Sequence, residues 1–201
     1  GDEMMLMDGQ GTFYRATVAE ATKKRCLYRI EETLPQEPQW VPHLHLAVAP
    51  TKNMDRMEWL AEKATEIGFD RLTLLNCHWS ERKVVKTERL ERILIAAMKQ
   101  SRKPFIPQVD EMIDFRKFVA QQTLGQRFIC HCHETELPLL RYSMQTGEDV
   151  TVMIGPEGDF TEEEVRLAEM QGFQSVSLGQ SRLRTETAGL VAVHLMHLSN
   201  E

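Results

Sequence analysis

The chain of 201 residues lacks any long apolar run. A membrane-spanning helix needs about 20 apolar residues in succession, so a membrane partner is not expected. The opening Gly1-Asp2-Glu3 has no basic segment and no apolar stretch behind it, so no secretory leader is expected. A cytoplasmic location is the expectation. Cysteine is scarce: Cys26, Cys77, Cys130 and Cys132. Without a secretion signal these read as reduced thiols rather than a disulfide frame. A second cluster of cysteine and histidine is also missing. Cys130-His131-Cys132-His133 falls on an expected strand, where alternate side chains point to opposite faces. The four cannot converge on one ion there, and no metal is expected.

Net positive charge is absent too. The formal charge is −6, which taken alone argues against a nucleic-acid partner. The distribution says more. Between Cys77 and Phe105 stand eight Lys and Arg against three acids, a local charge of +5 that leaves −11 for the remainder. A basic island in an acidic chain is a candidate phosphate-contacting surface. The competing reading is a solvated helix face. Trp79-Ser80-Glu81-Arg82-Lys83 opens the island directly after an expected strand.

What is present reads as one domain and part of another, with 42% hydrophobic and 27% charged residues, as in ordinary globular proteins. Residues 1–31 carry three short strands: 5–7, then 12–18 after an Asp8-Gly9 turn, then 26–30. They either pack on the main body or belong to a small barrel. Residues 31–42 hold three prolines and three acids and read as an extended connection. The domain boundary is placed at 36–42. From residue 43 strands and helices alternate. Strands are expected over 43–49, 71–77, 128–132, 150–154 and 175–178. Helices are expected over 54–67, capped by Asn53 and stopped by Gly68, then 87–101, 161–171 and 187–198. This is an α/β fold with a mostly parallel sheet covered on both faces. In such sheets ligands bind beyond the carboxyl ends of strands.

Two loops follow such ends. In the first, Met153-Ile154-Gly155-Pro156-Glu157-Gly158-Asp159-Phe160 runs into Thr161. Thr161 and Glu164 fit a capping box, with Phe160 and Val165 as the hydrophobic staple. Glu162 and Glu163 suit a first helical turn. Asp159-Phe160-Thr161 and the acids beyond are thereby assigned to capping. Gly155-Pro156-Glu157-Gly158 remains, either a tight turn or a ligand loop. In the second, Leu178-Gly179-Gln180-Ser181-Arg182-Leu183-Arg184-Thr185-Glu186-Thr187 leads into a helix that is apolar on nearly every face. Such a helix must be buried, in the core or against a second copy. Thr187 is its expected cap. Arg184 and Glu186 have no such local role.

Taken together, these residues resemble the RsmE family, 16S ribosomal RNA uridine-N3 methyltransferases of the SPOUT superfamily. The likeness rests on Gly155-Pro156-Glu157-Gly158-Asp159-Phe160-Thr161 with Glu164, then Leu178-Gly179, then Leu183-Arg184-Thr185-Glu186-Thr187-Ala188. Residues 62–68 (EKATEIG), Ser80-Glu81-Arg82, and Gln100-Ser101 with Pro107 are further matches. The resemblance covers about residues 40–201 and, weakly, 1–31. A departure is Gln180-Ser181-Arg182, where the family often has Pro-Arg-Ile.

The resemblance implies a SPOUT methyltransferase domain over 43–201 with a C-terminal deep trefoil knot. It implies a partial PUA-like β-barrel for RNA over 1–35, with the chain starting inside that barrel. It implies S-adenosyl-L-methionine as cofactor, a homodimer, and small-subunit ribosomal RNA as partner. Cofactor contacts are expected from Ile154, Gly155, Pro156, Glu157, Gly158, Leu178, Gly179, Leu183, Arg184, Thr185, Thr187 and Ala188. RNA contacts are expected from Ser80, Arg82, Lys83, Lys86, Arg89, Arg102 and Arg182. Arg184 is the expected catalytic cation, with Glu186 or Glu157 orienting it or accepting the proton. Two alternatives stay open. One is a ribose 2′-O methyltransferase, whose usual Asn-rich motif is not matched at 184–188. The other is a non-catalytic RNA-binding module on the same fold.

Overall fold

The computed structural model describes residues 1–121, 125–134 and 136–200. Strands β1 (Glu3–Met7), β2 (Thr12–Ala21) and β3 (Cys26–Pro35) form an antiparallel sheet in that order. The β1–β2 turn is held by Asp8, whose carboxylate accepts from the Gln10 and Thr12 amides at 2.7 and 3.0 Å. Gly9 and Gly11 supply the positive φ that the turn requires. The tip of this hairpin docks on the main body through backbone bonds. Gly11 N–H donates to Pro104 O and Ile106 N–H to Gly9 O, both at 3.0 Å. The small sheet therefore packs on the larger unit.

β3 runs on to Pro35, so residues 31–35 are strand and not connection. The prolines misled: the first lies at the strand's last residue, where no ladder donor is needed. Glu32 is ion-paired to Arg15 and Leu34 faces Phe13 across the ladder. In the connection that follows, Trp40 is an anchor. Its indole N–H donates to Asp70 Oδ2 at 2.9 Å, and its ring covers Gly68.

The main body is β4 (Leu44–Val48), α1 (Met54–Ile67), β5 (Arg71–Asn76), α2 (Glu88–Ser101), β6 (Gln108–Val109), β7 (Ile113–Asp114), α3 (Phe115–Ala120), β8 (Gln126–Cys130), α4 (Leu140–Ser143), β9 (Val150–Ile154), α5 (Glu162–Met170), β10 (Gln174–Val176) and α6 (Thr185–Leu198). The sheet order is β10-β8-β9-β4-β5-β6, with β7 also on β5, and every pairing is parallel. β4 and β9 are buried along their whole length. Parallel strands covered on both faces read as continuous apolar runs for this reason. Alternation sorts their side chains. Leu44, Leu46, Val48, Val150, Val152 and Ile154 pack with α1, α2 and α6. Ala47, Met153 and Ile129 pack on the other face with α3 and α5.

Helix ends follow their chemistry. Asn53 caps α1, accepting from Asp55 N–H at 3.0 Å. The capping box on α5 is complete in both directions. α6 departs from expectation. It starts at Thr185, with Arg184 at the cap position, and Thr187 lies inside the first turn. Gly189 lets α6 approach α1, because a β-carbon there would lie 3.0 Å from Leu60 Cδ2. Of α6, Leu190, Val191 and Leu195 are only partly covered by this chain.

Candidate active site

Two hollows mark the sheet, one at each end of its strands. At the amino ends, about 640 Å³ is lined by His43, His45, Arg71, Thr73, Asp110 and Thr151 among others. Its polar groups satisfy one another. Arg71 donates to Asp110 through two nitrogens, at 2.7 and 3.0 Å, and Thr73 donates its hydroxyl proton to the same carboxylate. Thr73 Oγ1 must then accept from His45 Nε2, 2.8 Å away. That leaves His45 Nδ1 to accept from the Thr151 hydroxyl at 3.3 Å. Burial, with the Arg71 charge, pushes the His45 pKa down to about 3. The imidazole is neutral, and His45, Thr73, Thr151, Asp110 and Arg71 bond to one another.

The carboxyl ends of β8, β9 and β10 carry a larger cleft of about 1370 Å³. Both glycine-containing loops meet there. Ile154, Gly155, Pro156, Glu157, Leu178, Gly179, Leu183, Arg184, Thr185 and Ala188 line it, and so does Arg182. Gly158 and Thr187 do not. A β-carbon on Gly158 would meet Trp79 Cβ at 3.1 Å, so this glycine makes room for the indole rather than for a ligand. One on Gly155 would meet Phe160 N at 3.1 Å, inside the loop's own turn. Gly179, with φ of +126° and open space where a side chain would be, is the glycine that bares its backbone to the cleft.

The walls are tied to one another. Asp159, in the left-handed region at φ 66°, is a clamp and not part of the cap. Its Oδ2 accepts from Cys132 N–H at 2.9 Å and its Oδ1 from Phe160 N–H at 2.8 Å. His133 Nε2 bonds Phe160 O at 2.6 Å, joining the same two loops again. Thr185 donates its hydroxyl to Gly155 O at 3.1 Å, so the α6 start is pinned to the β9 loop. Glu157 accepts from Lys52 N–H at 2.9 Å, which ties in the loop before α1.

The expected catalytic pair is split by this geometry. Arg184 is exposed and lines the cleft, and among the described residues its side chain has no hydrogen bond or ion pair. Glu186 is buried and points elsewhere: Arg56 Nε stands 3.7 Å from its Oε1, while Oε2 has no hydrogen-bond partner among the described residues. Arg56 itself lines the cleft. It was missed because an isolated Arg in a helix's first turn carries no sequence signal.

His131 was also missed. The strand ends at Cys130, so the alternation argued for 130–133 stops there, and all four residues line the cleft. The rings of His131 and His133 are 5.5 Å apart. Among the described residues no three His, Cys, Asp or Glu side chains are grouped to hold a metal. His131 is 5% exposed. Its Nδ1 accepts from His133 N–H at 3.3 Å, which places the ring proton on Nε2, a buried atom without a partner among the described residues. Burial lowers its pKa against the pull of Asp159. Burial pushes up the thiols of Cys130 and, with the Asp159 charge, Cys132, so neither is a ready nucleophile.

The expected RNA-binding residues do not form one patch. Ser80 is 4% exposed, and its hydroxyl accepts from Cys77 N–H at 3.0 Å, so it closes a turn and is not available. Arg82 donates to Lys52 O and Lys83 to Cys77 O, at 2.8 and 3.2 Å. Arg89 is paired to Glu58. Arg102 caps the far end of α2, about 20 Å along the helix from Arg89.

The chain as a whole is similar to known proteins. The profile of the RNA methyltransferase domain matches residues 37–197. The chain is similar to the ribosomal RNA small subunit methyltransferase E of Rickettsia conorii, 29% identical over 98% of this chain and 81% of that protein. It is similar in structure to a probable rRNA-methyltransferase from Porphyromonas gingivalis, 40% identical, with a TM-score of 0.94 over 100% of this chain and 85% of the other. A putative methyltransferase from Legionella pneumophila, solved with the cofactor SAM bound, is 29% identical with a TM-score of 0.91 over 98% and 83%. The chain belongs to the RNA methyltransferase domain family, within its RsmE branch.

Proposed function

We propose that this protein transfers the methyl group of S-adenosyl-L-methionine to N3 of a uridine in small-subunit ribosomal RNA. The observation that carries the reading is the cleft itself. Three loops, cross-tied by Asp159, His133 and Thr185, enclose a space with Arg184 in its wall. Small-molecule pockets measure roughly 300–1,000 Å³. The 1370 Å³ here is room for a cofactor and the base it modifies. The names of the relatives support both parts: a methyltransferase solved with SAM, and an rRNA small subunit methyltransferase.

The residues divide the work. Gly179 and the loop from Ile154 to Glu157 offer backbone groups to the nucleoside part of the cofactor, with Leu178, Leu183 and Ala188 as apolar walls. Bound there, the cofactor supplies an electrophilic methyl group. The chain's task is to hold that methyl in line with N3 and to stabilise the charge that develops as the N3 proton is lost. Arg184, whose side chain lines the cleft without a carboxylate partner among the described residues, would stabilise that charge. Glu186, buried beside Arg56, is not among the residues that line the cleft; its part is to position Arg56, a second cation in the cleft wall. The finer architecture belongs to the same proposal: a trefoil knot in the C-terminal part, a PUA-like barrel over 1–35 joined by 36–42, and cytoplasmic location. A homodimer would cover Leu190, Val191 and Leu195 of α6.

Arg184→Ala is expected to reduce methyl transfer at least 100-fold, the scale of losing one charge-stabilising group, while calorimetry finds SAM affinity within a few-fold of wild type. Near-full turnover in that variant would remove Arg184 from the mechanism.

A further inference from the structure

Trp79 is 55% exposed, yet everything beneath it is fixed. Cys77 N–H and Ser80 Oγ close the turn at 3.0 Å. His78 N–H donates to Glu164 of the α5 capping box at 2.8 Å. The His78 ring meets the indole edge-on, with centroids 4.4 Å apart at 89°. Gly158 leaves its side chain out so that the indole can lie against the loop. A large apolar ring on the surface costs free energy that a polar residue would avoid. Here it is left uncovered, packed on Gly158, which is one residue from Glu157 and two from Pro156, both of which line the cleft.

Its surroundings are cationic and aimed. Carbonyl oxygens of Lys52 and Cys77 hold the side chains of Arg82 and Lys83. Lys86 stands exposed beyond them. The acids among them are Glu81, paired with Lys52 at 2.8 Å, Glu157, occupied by the Lys52 amide, and Glu164, occupied by the His78 and Thr161 amides. An exposed aromatic face bordered by fixed cations matches an unstacked nucleobase with its phosphates.

We infer that Trp79 is a stacking platform for an unpaired base next to the target nucleotide, with Arg82 and Lys83 on the flanking phosphates. This rests on the proposed RNA methyltransferase activity and adds the rule that the substrate is recognised unpaired. The platform also explains Gly158, the glycine of its loop that faces no ligand.

The test measures steady-state transfer from SAM to unmodified small-subunit ribosomal RNA for wild type, Trp79→Ala and Trp79→Phe, with SAM affinity by calorimetry. Loss of one base–aromatic stack corresponds to about a ten-fold rise in KM for RNA. The alanine variant is expected to show that rise, the phenylalanine variant less than about three-fold, and SAM affinity is expected to be unchanged in both. An alanine variant with wild-type KM overturns the platform, as does equal loss in both variants. Wild-type protein that binds SAM but transfers nothing to RNA overturns the proposed activity, and the platform with it.

Discussion

At the scale of single residues, His45 shows how far burial decides protonation. Its folded pKa of about 3 lies below the 6.5 of the unfolded chain. Between those values the unfolded chain binds a proton that the folded one refuses. Stability from this site is complete above pH 6.5 and falls as the pH drops towards 3, by at most about 1.4 kcal/mol per pH unit. Urea midpoints measured from pH 7 to 4 should decline in wild type and decline less in His45→Gln. Parallel curves would mean that His45 does not carry the acid sensitivity. None of this was legible in the sequence, where His43 and His45 were two polar residues in a strand. The position of Arg184 in the cleft wall was legible, since a charged residue before a buried helix has to be satisfied or used. Arg56 and His131 were not. One needs the Glu186 contact and the other the end of β8 to become visible.

At the scale of elements, the chain around residue 160 contains two devices that the sequence ran together. Thr161 and Glu164 cap α5, as their spacing indicated. Asp159, grouped with them, joins the β9 loop to the β8 loop instead. The two roles separate by measurement. Thr161→Ala should lower stability by about 1 kcal/mol in urea melts and change SAM affinity little. Asp159→Gly keeps the left-handed backbone but loses the clamp, so SAM affinity should fall more than stability does. The reverse pattern would exchange the two assignments. Long elements with clear periodicity, such as α1, α2 and the buried β9, fell close to where their residues indicated. The start of α6 did not, because Thr187 has the chemistry of a cap while Thr185 is the residue that reaches Gly155. The turn of α3 went unread, although Asp114 caps it by accepting from Lys117 N–H at 3.2 Å. Six residues are too few for a period to stand out.

At the scale of the molecule, an acidic chain carries a basic stretch beside the larger cleft. The cations from Arg82 to Lys86 and Arg182 at the cleft border the same loops, while Arg89 is paired and Arg102 is remote. Such a surface steers a polyanion to one end of the sheet rather than coating the protein. At the opposite end the cation, Arg71, is paired with Asp110. The central claim is that the cleft delivers a methyl group to N3 of uridine in small-subunit ribosomal RNA. The direct measurement is incubation of the purified protein with methyl-labelled SAM and unmodified small-subunit RNA, as naked RNA and as assembled subunits, followed by mass analysis of the nucleosides. The account predicts label in 3-methyluridine at one site, absent with Arg184→Ala. Label in a ribose 2′-O-methyl nucleoside, or no label from a protein that binds SAM, would contradict it.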